Sequence, residues 1–95
     1  MVREKYIKRM DHLRDVMFRI SGIDPLEDSR RHDVVTAKMM LAAVLQKEGC
    51  NIVQTGRLLG RTHATVIHYN DMFLALFLPG WEAERELWEK FKKEI

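Results

Sequence analysis

Cysteine is nearly absent from this chain. Cys50 is its one thiol, so no internal disulfide forms and no cysteine-based zinc motif exists. That usage fits a reducing, cytoplasmic setting. Proline occurs only at Pro25 and Pro79, and glycine five times, which leaves long intervals without helix breakers. Long apolar runs are also missing. The longest uncharged stretch, Met72–Trp81, has ten residues and is broken by Pro79-Gly80, and the next, Thr62–Asn70, has nine and includes two histidines; both are far short of the roughly 20 apolar residues a membrane span needs. The opening "MVREKYIKRM" is charged from its third residue and lacks the apolar core of a signal peptide. Acidic residues are absent from Gly49 through Asn70.

What remains is a chain of 95 residues, 46% hydrophobic. That is enough for one domain with a modest core and too little for two. The net charge of +2 is small but unevenly spread. Residues 30–69 carry Arg30, Arg31, Lys38, Lys47, Arg57 and Arg61 against only Asp33 and Glu48. After Pro79, five glutamates face four basic residues. A positive field concentrated in the middle of the chain suits a polyanion.

Periodicity predicts helices throughout and no strand. Tyr6, Met10, Leu13, Met17 and Ile20 make one apolar stripe over Arg3–Ile20. Ser21-Gly22 ends it, and Asp24-Pro25 opens a short connection that Leu26 anchors. A second helix starts near Ser29 or Asp33, each a capping residue. It buries Val34, Ala37, Leu41, Val44 and Leu45, with Met40 at the edge, and stops at Gly49. Asn51 caps a short helix over Ile52–Leu59, and Gly60 stops it. Thr62 caps the next helix, expected to run to Phe77 with Val66, Tyr69, Phe73 and Phe77 buried beside Leu74 and Leu76. Short helix, glycine turn and second helix together are helix-turn-helix grammar. Pro79-Gly80 separates a last helix, Glu82–Ile95, with Trp81, Leu87 or Trp88, and Phe91 as apolar contacts. The expected architecture is all-α: a compact helical domain over 1–78 with a helix-turn-helix at about 52–77, and a helical extension over 79–95.

The candidate site is "GRTHATVIHY", Gly60–Tyr69. A helix that enters the major groove needs short polar side chains near its N-terminus and apolar anchors behind. Arg61, Ala64, Thr65 and His68 share one face, Val66 and Tyr69 another, and His63 lies in the first turn. Arginine forks onto guanine or clamps phosphate, threonine hydrogen-bonds either, and alanine touches a thymine methyl. The bland alternative is a pair of half-buried histidines on an ordinary helix. His63 and His68 are five apart and diverge on a helix, so no metal site is expected. No phosphate loop or nucleophile elbow accompanies them, so no enzyme and no cofactor are expected.

These residues carry a resemblance. "GRLLGRTHATVIHY", Gly56–Tyr69, resembles the signature of the C-terminal DNA-binding domain of DnaA, the bacterial replication initiator, which has a Trp-repressor-like fold. Gly56, Gly60, Arg61, His63, Thr65, Val66 and His68 match, and "SRRHDVVTAK" resembles the family's basic opening. The similarity covers about residues 5–77, loosely before the motif. It implies a helical domain that binds duplex DNA. Arg61, His63, Thr65 and His68 would lie in the major groove, with Thr62 and Ala64 beside them. Arg30 or Arg31 would approach the minor groove, and Lys38, Lys47 and Arg57 would hold phosphates. The chain departs from the pattern in lacking one glycine of a Gly-Gly pair, in Thr62 for aspartate and in Ala64 for a hydroxyl residue. The family's target sequence therefore does not carry over. No room remains for its ATPase module. The expected protein is a cytoplasmic, nucleoid-associated regulator or replication accessory of bacterial or phage origin. The alternative is a protein-interaction module, dimeric through the Trp-containing C-terminal helix.

Overall fold

The computed structural model describes residues 2–95, so only Met1, the first residue of the expected domain, lies outside them. The fold is all-α. Helices α1 (Glu4–Ser21), α2 (His32–Lys47), α3 (Ile52–Leu59), α4 (His63–Phe73) and α5 (Glu82–Glu94) follow one another, and a 3₁₀ turn (Leu74–Phe77) extends α4. The described residues contain no strand.

Helix α2 is the central element. It packs against α1, α3 and α4 and is buried almost all round, with Met39, Met40, Leu41 and Ala42 as enclosed as Val34 and Leu45. Met40 is therefore core rather than edge. Helix α1 adds Met10, Leu13, Val16 and Met17. Helix α5 inserts Trp88 and Phe91 into the same core, and Trp88 meets Phe73 edge-on at 4.9 Å. The C-terminal helix is thus covered by its own chain on its apolar side.

Neither residue expected to cap α2 does so. Arg31 occupies the cap position without a side-chain bond. Ser29 Oγ accepts from the Arg31 amide at 3.1 Å ahead of the helix, and Asp33, already inside the first turn, accepts from the free Val34 amide at 2.8 Å, so neither stands at the cap position. At the other end, the Cys50 amide donates to Leu45 and the Gly49 amide to Gln46. This pair of bonds is a Schellman closure. It tucks the Cys50 thiol into the core between α2 and α3.

The α3–α4 unit is built from local chemistry. Asn51 and Gln54 form a reciprocal capping box, with bonds of 2.8 and 3.0 Å, which satisfies two amides at the start of α3. Gly60 ends α3 in the left-handed region (φ 68°, ψ 33°). The Arg61 amide donates to Gly56 at 2.8 Å and the Gly60 amide to Arg57 at 3.3 Å, a second Schellman closure. Thr62 then caps α4 by accepting from the Thr65 amide at 3.3 Å.

Beyond Phe73 the expected pattern changes. Leu76 is buried, but Leu74 and Phe77 are 67% and 60% exposed. The 3₁₀ turn has three residues per turn rather than 3.6. It aligns Leu76 with Phe73 and swings Phe77 outward, so a continuous helix to Phe77 assigns the wrong residue inward.

Gly56 tolerates no side chain. A Cβ there would stand 2.7 Å from the Arg61 carbonyl oxygen and 3.3 Å from the Thr62 carbonyl carbon. Gly60 faces open space, so only its backbone conformation resists substitution. Gly56→Ala is expected to cost about 1–3 kcal/mol through overpacking. Gly60→Ala should cost about 1–2 kcal/mol, and Gly60→Asn less, because asparagine tolerates that conformation. Urea unfolding checks the order; a Gly56→Ala protein as stable as the parent contradicts the tight turn.

Candidate nucleic-acid interface

Thr62, His63 and Ala64, at the N-terminal end of α4, are all exposed. So are Ile67 and His68, one turn further on, while Val66 and Tyr69 are buried behind them. The alternative of half-buried histidines therefore does not hold: both rings are open to solvent. The first turn of α4 contains no acidic residue, so the positive end of the helix dipole faces outward uncompensated.

A cleft of about 500 Å³ runs along this helix. Arg61, Thr65, His68 and Tyr69 form one wall, Asp28, Ser29 and Arg30 the other, and Val35 contributes from α2. Four of the sequence-predicted residues, Arg30, Arg61, Thr65 and His68, thus meet across one hollow, although Arg30 and Arg61 are far apart in the chain.

The second wall is a braced connection. Arg14 holds Asp24 through two bonds of 2.9 and 2.7 Å, and the guanidinium pulls the Asp24 carboxyl below its usual range. Asp24 also accepts from the Leu26 amide at 3.0 Å. Arg31 is exposed and lies between Glu27 (3.3 Å) and Asp33 (3.4 Å).

Arg61 is the most committed member of the site. Its side chain is only 27% exposed. It donates to the Gly60 carbonyl at 3.3 Å and pairs with Asp28 at 3.1 Å. The Tyr69 hydroxyl first, and Asp28 after it, push the guanidinium pKa up.

Two expected phosphate contacts are elsewhere. Lys38 is 1% exposed, and its ammonium donates to the Glu27 carbonyl at 2.6 Å. It braces the 24–31 connection from inside and has no path to a phosphate. Lys47 is exposed but stands at the far end of α2, in a separate hollow of about 410 Å³ with Arg9, Trp88 and Lys92. Arg57 is exposed on α3 and does not line the cleft. Of the other lining residues, Ser29 and Tyr69 read from the sequence as a cap and a buried anchor, and Asp28 and Val35 escape the sequence reading. The acidic run before Arg30 was the available signal for Asp28.

No cluster of three or more metal-ligating side chains occurs among the described residues. No helix among them is long and apolar enough to cross a membrane. In comparisons with protein families, curated proteins and solved structures, nothing matches the chain. The class is thus an all-α domain containing a helix-turn-helix, with a cationic cleft beside its second helix.

Burial pushes the Lys38 ammonium below its usual 10.5, and nearby Arg61 adds to this against Asp28, Glu27 and Asp24. The unfolded chain therefore holds this proton more tightly than the fold does. Stability contributed at this site rises with pH between the lowered value and 10.5. Lys38→Met keeps the apolar stem and lacks that rise. Its stability relative to the parent should therefore fall as pH increases from neutrality toward 10.5. Urea unfolding of both proteins at two pH values tests this; a constant difference contradicts a strained ammonium.

Proposed function

We propose that this protein binds duplex DNA with a sequence preference, placing the N-terminal half of α4 in the major groove. The observation that carries this reading is the convergence of Arg30, Arg61, Thr65 and His68 on one cleft beside exposed His63 and Ala64. A groove-reading helix needs short polar groups at its exposed start and apolar anchors behind. Val66 and Tyr69 supply the anchors. The resemblance of Gly56–Tyr69 to the DNA-binding domain of DnaA supports the same assignment, as does the absence of acidic residues from Gly49 to Asn70.

In this reading His63, Thr65 and His68 contact base edges, and Ala64 contacts a thymine methyl. Thr62 serves mainly as the cap. Arg30 and Arg31 approach the minor groove from the 24–31 connection. Lys38 and Lys47 take no part. The protein acts as a small regulator or replication accessory in a bacterial or phage nucleoid.

Fluorescence anisotropy with a mixed-sequence duplex tests the idea. Binding should appear at low salt and weaken steeply as salt rises, because phosphate contacts release counterions. Against a site selected from random DNA, His63→Ala and His68→Ala should each lose about 1–3 kcal/mol of discrimination. His12→Ala, on the exposed face of α1, should change nothing. Absence of any binding at low salt ends the proposal.

A protein-interaction role is favoured by a different observation. Leu74, Phe77 and Leu78 are 67%, 60% and 56% exposed just beyond α4. In this second reading the contact would lie on the 3₁₀ turn and Leu78 rather than on α5, whose Trp88 and Phe91 are covered. A monomer at every concentration in sedimentation velocity excludes self-association there.

A further inference from the structure

We propose that the cleft between the 24–31 connection and α4 seats one sugar–phosphate strand of the duplex, and that Asp28 holds the anion position until a phosphate takes it. The proposal rests on the DNA-binding reading above and assigns Arg61 a different role within it.

The geometry begins with Arg61. One edge of its guanidinium is tied to the Gly60 carbonyl at 3.3 Å, and Tyr69 lines the cleft beside it. The Arg61 side chain is thus engaged and only 27% exposed, whereas His63 is open to solvent, so base-edge contact falls to His63 rather than to Arg61. Its remaining edge faces the cleft, where the Asp28 carboxylate oxygen lies 3.1 Å away. A carboxylate oxygen and a phosphate oxygen satisfy a guanidinium in the same way. Asp28 marks where an anionic ligand oxygen binds.

Asp28 is also built to leave. Its side chain is 94% exposed, so moving it exposes nothing, and an exposed ion pair of this kind holds weakly. Other groups suit a phosphodiester. Arg30 lines the opposite wall. Ser29 uses its oxygen as an acceptor from Arg31, which leaves its hydroxyl proton free to donate. The wall itself does not have to be ordered on binding. Asp24 is clamped by Arg14 and Glu27 is held by Lys38, so the cost of organising the seat is met in the fold. A strand in this cleft would run beside a helix lying in the major groove, as the rim of that groove must.

Asp28 therefore subtracts one charge from the interface for every sequence alike. Asp28→Asn removes that charge and keeps the shape. It should raise affinity for mixed-sequence duplex by roughly two- to five-fold, the strength of an exposed ion pair. It should also steepen the plot of log affinity against log salt by about 0.9. In an Arg61→Gln background most of the affinity gain should vanish. The thermal midpoint of Asp28→Asn should match the parent, because the residue is exposed.

If the parent binds duplex but Asp28→Asn changes neither affinity nor slope, the seat is overturned and DNA binding stands. If the parent binds no duplex, DNA binding itself falls. Inorganic phosphate titrated onto Asp28→Asn, followed by the Arg61 side-chain NMR signal, then decides the rest. A saturable shift supports an anion seat and overturns the strand; no shift overturns both.

Discussion

At Gly56, helix α3 meets the turn that follows it backbone to backbone. Gly56 presents a bare Cα to the Arg61 carbonyl, and its own carbonyl accepts the Arg61 amide at 2.8 Å. One residue thus meets both the amide and the carbonyl of Arg61. The direction in which α4 leaves the turn follows from this contact. So does the division of α4 into a buried side, Val66 and Tyr69, and an open side, His63, Ala64 and His68. Any side chain at Gly56 would push the turn outward and rotate that division.

The second constraint is α2. A helix surrounded on nearly all sides has no free face for a charged residue, yet Lys38 lies on it. The fold accommodates the ammonium by giving it a backbone carbonyl of the neighbouring connection. A buried charge must be hydrogen-bonded to be tolerated. The bond therefore also determines where Glu27 lies, and with it Asp28, Ser29 and Arg30. One wall of the candidate interface is held in place by a residue that does not touch the cleft.

Much of this was legible in the sequence because it is local. The α1 stripe, the Asn51 and Thr62 caps and the Gly60 stop depend on neighbours three or four residues away, which periodicity and capping rules describe well. Several features were not legible because they depend on partners distant in the chain. Lys38 reads as an exposed phosphate ligand until α1, α4 and the 24–31 connection are placed around α2. Lys47 reads as part of the positive middle until the length of α2 carries it to the other end of the domain. Charge counted along the chain ignores this separation, and it also missed Asp28, which pairs with Arg61 only in the fold. Phe77 reads as buried but is exposed, because a change from 3.6 to three residues per turn leaves no mark in an apolar run such as Leu74–Phe77.

The single thiol offers a way to observe motion at the base of the helix-turn-helix. Cys50 is buried at the Schellman closure between α2 and α3. Burial first, then Glu48, raises its pKa, which leaves little thiolate to react. An alkylating reagent reaches it only when that junction opens. Its labelling rate therefore acts as a clock for local opening, and the protein carries this reporter without any engineered probe.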